Sequence, residues 1–389
     1  MQRFDVIVVG GGLVGASFAL ALEKADVTVA LVDPQPPRSR VDEDSWDSRI
    51  YAVSPGNAGW LAELGVWDAL PETRLARIET MQIFGDQVRG RLDFSAYDAG
   101  LRELAWIVEN RLLHTEIWRA LERSAHVSMY CPARCQDLLW EEDEARLLLD
   151  DARELAARLI VGADGVESWV RDRAGISASV YEYGQNGVVA NFGTSRSHDG
   201  TAFQWFRADG VLALLPLPGN RVSMVWSAPE ERASELLGLS REALEEEIEI
   251  ASDGVVGELK LLSPAVAFPL LRQRVERLVE PRAALIGDAA HNIHPLAGQG
   301  MNLGLRDARE LANVLAGRGP HRDCGEYALL RRYERARKED ITALELTTHG
   351  LEKLFEARAV SMATLRNFGL SVVNAQPLLK NALVRYAVA

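Results

Sequence analysis

The chain has 389 residues, 48% of them hydrophobic and 25% charged, with a formal net charge of −13. That length suits two domains or one with a large insertion, and the composition excludes a disordered or fibrous chain. The negative balance argues against binding a phosphate backbone, which requires clustered Lys and Arg, and three cysteines (Cys131, Cys135, Cys324) are too few and too scattered for a disulfide framework or a zinc site.

The run Asp5 to Val9 reads as a strand buried on both faces, Leu13 to Lys24 has helical spacing, and Val27 to Val32 reads as a second strand ending at Asp33. The apolar opening is crowded with glycine and lacks a small-residue cleavage site, so it reads as strand and helix, not as a signal peptide. No apolar run reaches the roughly 18 residues needed to span a bilayer. A reducing cytoplasm is the expected compartment. Ile107 to Arg123 reads as a helix, followed by a small β-meander to about Leu159. From Gly187 to Ser227 the period changes to two, in runs at 188–192, 202–206, 211–215 and 222–226, which predicts an antiparallel sheet. A helix over 241–250 and an extended return at 266–269 close that region. A parallel-type strand at 283–286 and a long helix over 300–316 come next, and the rest reads as mostly helical.

The expected fold is therefore α/β with an inserted antiparallel sheet. The Rossmann-like domain is discontinuous over 1–75, 100–180 and 275–326. The β-rich domain takes 76–99 and 181–274, and a helical C-terminal region takes 327–389.

Gly10-x-Gly12-x-x-Gly15 follows a strand and opens a helix, and Asp33 stands at the end of the next strand. Glycines there allow a tight turn and close backbone approach, the helix N-terminus suits a pyrophosphate, and a carboxylate accepts from ribose hydroxyls. The chain has one such fingerprint, so one dinucleotide is held and any second one visits. Asp164-Gly165-x-x-Ser168-x-x-Arg171 ends another strand; its residues alone are equally consistent with a simple Asp-Gly turn. Gly287-Asp288 ends the strand 283–286 in the same manner. It leads into His291-Asn-Ile-His294-Pro295-Leu-Ala-Gly298-Gln299-Gly300-Met301-Asn302. Pro295 fixes an extended entry, and Gly298 and Gly300 strip side chains from a loop running into a helix, leaving backbone N–H groups and the positive helix end to face an anion. His291 and His294 lack the further ligands a metal site needs, and no metal is expected.

These motifs, in this order, resemble the para-hydroxybenzoate hydroxylase class of flavoprotein monooxygenases. His294 through Gly304 with Leu305-Arg-Asp307 is similar to the FAD-dependent hydroxylases of ubiquinone biosynthesis. Asp47-Ser-Arg49-Ile-Tyr-Ala-Val-Ser54, Val108-Glu-Asn110-Arg111, Leu212 to Pro218 and Asn367-Phe-Gly-Leu370 extend the likeness over essentially the whole chain. The resemblance implies that noncovalent FAD is held by Gly10, Gly12, Gly15 and Asp33 at its ADP half. Arg49 and Asn110 lie along the pyrophosphate and ribityl chain, although Arg49 also reads as a helix-capping ion pair. Asp164 belongs to a motif tied to FAD and the nicotinamide, and Asp288 meets the ribityl chain. Pro295, Gly298, Gln299, Gly300, Met301 and Asn302 border the isoalloxazine, with no side-chain base assigned; His294 shapes that loop.

It further implies that NADPH or NADH reduces FAD, that O₂ adds as cosubstrate to give a flavin hydroperoxide, and that its distal oxygen attacks a prenylated phenol. Phe203, Trp205, Phe206 and Trp226 fit either the pocket lining or plain sheet packing. Against a halogenase, no Trp-x-Trp-x-Ile-Pro segment occurs, and Lys24 is the only lysine before Lys260. A prenyl-chain reductase and an inactive FAD-binding scaffold subunit of a biosynthetic complex stand as the alternative readings. The tail 357–389 lacks acidic residues and carries Arg358, Arg366, Lys380 and Arg385. It reads either as helices docked on the core or as a peripheral contact with anionic lipid on the inner face of a membrane.

Overall fold

The computed structural model describes residues 1–37, 45–85, 91–293, 298–319 and 321–356, with side chains to residue 346. Its helices are α1 (Leu13–Ala21), α2 (Pro55–Glu63), α3 (Asn110–Arg123), α4 (Trp169–Arg173), α5 (Glu230–Gly238), α6 (Arg241–Ala251), α7 (Gly300–Ala316) and α8 (Tyr327–Glu356).

The first sheet has a parallel centre. Gln2–Val9 lies between Glu154–Gly162 and Val29–Val32, with Ala283–Leu285 and Val127–Tyr130 outside them. Its register sets Val9 opposite both Gly162 and Val32, so the chain leaves three neighbouring strands at one level. Val6, Ile7 and Val8 are wholly buried, which explains their unbroken apolar run: helices and meander cover both faces. The expected meander is present as Cys135–Trp140, Ala145–Leu149 and Glu154–Gly162.

The second sheet is mainly antiparallel and runs through Val266–Val275, Ala178–Thr194, Arg221–Pro229, Gly210–Leu217 and Thr201–Arg207. At its far side Thr80–Phe84 joins in parallel. Alternation along its strands sends Val188, Ala190, Phe192, Phe203, Trp205, Val222, Met224 and Trp226 to one face, where α5 and α6 cover them. Phe203, Trp205 and Trp226 are thus packing residues of that helix-covered face. Phe206, on the opposite face, is also buried.

A third, three-stranded sheet differs from the sequence reading. Ala105–Glu109 is a strand between Ile50–Val53 and Ala76–Ile78, and α3 begins only at Asn110. Ile107 and Val108, assigned by periodicity to the helix, instead pair with Ala52 and Tyr51. Two apolar residues at the boundary satisfy either period, and β-branching favours the sheet. Helix α5 was also not anticipated. The C-terminal region forms one long helix to Glu356, and the basic tail 357–389 lies outside the described residues. Among the described residues no helix is long and apolar enough to cross a membrane.

Candidate functional site

The glycine turn at the end of Gln2–Val9 is specified by close contacts. Gly10 has φ +104°, and a Cβ there would stand 2.3 Å from the Ala163 carbonyl oxygen; one on Gly15 would stand 2.0 Å from that of Gly10. These two glycines are demanded by the protein itself. Gly12 is different: a Cβ there meets nothing within 4 Å among the described residues. Helix α1 starts at this point with no side-chain cap and no acidic residue in its first turn, so its positive end faces the open space beside Gly12.

Asp33 faces the same turn. Its carboxylate accepts the Gly11 N–H at 2.6 Å and the Gln35 N–H at 2.8 Å. The other side of the Gly11 peptide is held by residues that the sequence reading did not single out. His114 Nε2 and Trp118 Nε1, both on α3, lie 2.7 and 2.8 Å from the Gly11 carbonyl oxygen. A carbonyl only accepts, so His114 carries its proton on Nε2. Burial lowers the basicity of His114, against the opposing influence of that hydrogen bond and of Asp33. The i, i+4 spacing of His114 and Trp118 on an amphipathic helix was the available signal.

Asp47 organises the next part. It accepts the backbone N–H groups of Arg49 at 3.1 Å and Arg111 at 3.0 Å, and the Asn110 N–H donates to the Arg49 carbonyl at 2.9 Å. The start of α3 and the residue leading into the strand Ile50–Val53 are thereby fixed together. From behind, the buried Glu109 accepts the Asp47 N–H at 2.7 Å and pairs with Arg74 at 2.6 Å. The Arg49 side chain is exposed; its guanidinium lies 5.6 Å from the Tyr51 ring centroid and makes no ion pair among the described residues. Among the described residues, then, the expected helix-capping ion pair of Arg49 does not form. Its charge lies within electrostatic reach of both His114 and Asp288.

Asp164 turns inward. It accepts Ser168 Oγ at 2.5 Å and the Val170 N–H at 3.0 Å, while Arg171 reaches the Val166 carbonyl at 2.8 Å and that of Ala289 at 3.4 Å. This motif caps α4 and ties it to the Gly287–Ala289 turn. Burial raises the Asp164 carboxyl above the usual range despite those hydrogen bonds.

Asp288 sits in that turn, next to Gly287 at φ +61°, and its carboxylate accepts no hydrogen bond among the described residues. Burial raises its carboxyl above the usual range, opposed by the charges of His291 and Arg49. A half-buried carboxylate without a donor suits a ligand rich in hydroxyl groups.

At the start of α7, among the described residues a Cβ on Gly300 meets nothing within 4 Å, and one on Gly298 (φ +59°) meets only Ala52 Cβ at 3.6 Å. This helix start also lacks a side-chain cap and any acidic residue in its first turn. Asn302 is fully engaged: it donates to the Ala52 carbonyl at 2.7 Å and accepts the Ser54 N–H and Asn57 Nδ2 at 2.9 Å each. It fastens α7 to the Ile50–Val53 strand. Met301 is buried. Gln299 accepts Arg306 Nη2 at 3.3 Å. His294 and Pro295 lie outside the described residues. His291 is bound to Asp307 at 2.6 Å.

Two uncapped helix starts, each with a glycine that leaves open space, together with the exposed cation Arg49 and the carboxylate of Asp288, donor-free among the described residues, are groups that suit an elongated anionic molecule with a hydroxylated middle. FAD has that chemistry. Residues 3–348 match the family described as FAD binding domain. Ubiquinone hydroxylase UbiL of Rhodospirillum rubrum is 35% identical over 387 residues, which cover 99% of this chain and 89% of that protein. The 3-demethoxyubiquinol 3-hydroxylase of Escherichia coli is 32% identical over 391 residues, covering 100% and 99%. Among solved structures, Pseudomonas aeruginosa PqsL in complex with 2-aminobenzoylacetate matches with a TM-score of 0.79 at 24% identity, over 95% of this chain and 100% of that one, a likeness of fold. The chain belongs to the FAD-binding-domain family, with these ubiquinone-pathway hydroxylases among its relatives.

Proposed function

We propose that this protein is an FAD-dependent monooxygenase that hydroxylates the ring of a prenylated phenol in ubiquinone biosynthesis, with NADPH or NADH as reductant. FAD, when bound, supplies activation of O₂ for transfer to an electron-rich ring, chemistry that amino-acid side chains do not provide. The observation that carries this reading is the pair of uncapped helix starts at Gly12 and Gly300, each with open space at its glycine, supported by relatives of more than 30% identity over nearly the full length.

In this reading Gly10, Gly12, Gly15 and Asp33 hold the ADP half, and Arg49 and Asn110 follow the pyrophosphate and ribityl chain. Asp288 accepts from ribityl hydroxyls. Pro295, Gly298, Gln299, Gly300, Met301 and Asn302 border the ring, and Asp164 braces the Asp288 turn through Arg171. The FAD-binding domain comprises 1–75, 100–180 and 275–326, and the β-rich segments 76–99 and 181–274 cover the substrate and exclude water. Peripheral contact with a membrane or with a ubiquinone-biosynthesis complex, through 357–389, belongs to the same proposal. Cosedimentation with anionic liposomes, compared with a variant in which Arg366, Lys380 and Arg385 are Gln, tests that part.

Quinone profiling by mass spectrometry in a strain lacking the gene tests the function. Accumulation of an intermediate one ring hydroxyl short is expected, and an unchanged quinone profile would contradict it.

A further inference from the structure

Helix α8 supplies none of the residues assigned to the cofactor, yet one of its faces is tied to both segments proposed to border the flavin. Arg337 Nε donates to Asp307 Oδ1 at 2.7 Å, and the other oxygen of Asp307 accepts the Gly287 N–H at 3.1 Å and contacts His291 Nε2 at 2.6 Å. Arg337 Nη1 also donates to Asp340 Oδ2 at 2.7 Å. The same Asp340 oxygen accepts Arg306 Nη1 at 3.3 Å, and Arg306 Nη2 donates to Gln299 Oε1 at 3.3 Å. An unbroken chain of charged hydrogen bonds thus runs from the turn containing Asp288 through α8 to the loop containing Gly298.

Asp307 is wholly buried, and Arg306 and Arg337 are 7% and 6% exposed. Apolar side chains would hold the α7–α8 seam at least as well, because removing charges from water is costly. What ion pairs add is direction, since each fixes the distance and angle of the group it binds. Further along α8, Glu345 lies 3.5 Å from both Arg272 and Arg274 on the strand Val266–Val275. Gln273 of that strand donates to the Asp288 carbonyl at 3.1 Å. The helix therefore also reaches the sheet proposed to cover the substrate.

We infer that Arg337 and Asp340 are positioning residues, which set the spacing between the Gly287-Asp288 turn and the Gly298–Gly300 loop and so fix the flavin ring against the substrate sheet. The inference rests on the proposed placement of the ring beside that loop.

Asp340→Asn removes the central charge at nearly constant volume and leaves the ADP-half cradle untouched. In the purified FAD-loaded protein, FAD content is expected to stay at the parent level while the visible flavin absorption bands shift. H₂O₂ released per NAD(P)H oxidised in the presence of a prenylated phenol should rise about tenfold, equivalent to ~1.4 kcal/mol of lost discrimination. Asp340→Glu should restore part of the coupling. Arg306→Gln cuts the chain one link before the Gly298–Gly300 loop, at a residue not assigned to the cofactor, and serves if Asp340→Asn does not fold; it should produce the same spectral shift. Parent-like absorption and coupling in folded, FAD-loaded variants would overturn the inference. Should the parent protein hydroxylate no phenol, the functional reading fails, and the absorption measurement still decides whether the ion-pair chain sets the flavin environment.

Discussion

Asp307 accepts the backbone N–H of Gly287 at 3.1 Å, joining α7 to a turn twenty residues earlier in the chain. Burial alone would push the Asp307 carboxyl up, but His291 and Arg337 outweigh it and hold the group below the usual carboxylate range. A depressed carboxylate stabilises the fold above its unfolded value near ~3.9 and loses that contribution as pH falls through its folded value. Asp307→Asn should therefore lower stability at neutral pH by about 3–5 kcal/mol, the cost of breaking a buried ion pair, and flatten the loss of stability below about pH 4. Chemical denaturation across pH 3–7 checks this; parallel curves for parent and variant would contradict it.

Asp288 carries the opposite sign. Burial raises its carboxyl, so its ionised form costs stability at neutral pH, and that cost disappears as pH falls below the unfolded value of ~3.9. Asp288→Asn should raise the melting temperature of the FAD-free protein at pH 7 while weakening FAD retention by roughly 1–3 kcal/mol, the worth of a buried hydrogen bond to a charged group. Thermal unfolding and fluorescence titration with FAD separate the two effects. Unchanged FAD affinity would remove Asp288 from the site.

The three glycines of the fingerprint should respond differently to alanine. Gly10→Ala and Gly15→Ala force contacts of 2.3 and 2.0 Å with backbone oxygens and should destabilise the protein even without FAD. Gly12→Ala and Gly300→Val meet no atom of the described residues within 4 Å of Cβ, so the fold should persist. The first should lose FAD affinity, and the second should lose hydroxylation or divert it to H₂O₂. Normal FAD binding by a folded Gly12→Ala protein would show that this turn does not hold the cofactor.

His114 and Trp118 share one acceptor, the Gly11 carbonyl. His114→Leu or Trp118→Phe alone leaves that oxygen one donor and should weaken FAD binding by less than about 1 kcal/mol. The double variant strands it and should cost more than the sum of the single changes. A titration calorimetry cycle checks this; strict additivity would mean that the shared carbonyl is not what couples them.

Much of the candidate site is legible in the sequence because its constraints are local. A strand, a glycine turn and a helix start dictate their own residues, so Gly10 to Gly15, Asp33, Gly287-Asp288 and Gly298 to Asn302 stood out. The sheet inserted between them was equally legible from its period of two. What was hidden depends on contacts distant in sequence. The i, i+4 spacing of His114 and Trp118 marks a shared helix face but not their partner Gly11, more than 100 positions away, and Arg337 is one of several basic residues on a long helix. Ile107 and Val108 were misassigned because their strand is defined by its partners Ala52 and Tyr51, which no local window contains.

The central claim is tested most directly by incubating the FAD-loaded protein with a prenylated phenol, NAD(P)H and ¹⁸O₂ and weighing the products by mass spectrometry. The account predicts substrate-stimulated oxidation of NAD(P)H and one ¹⁸O atom in the ring of the hydroxylated product. A folded, FAD-loaded protein that oxidises NAD(P)H at the same rate with and without any such phenol, and leaves no label in a ring, would contradict it.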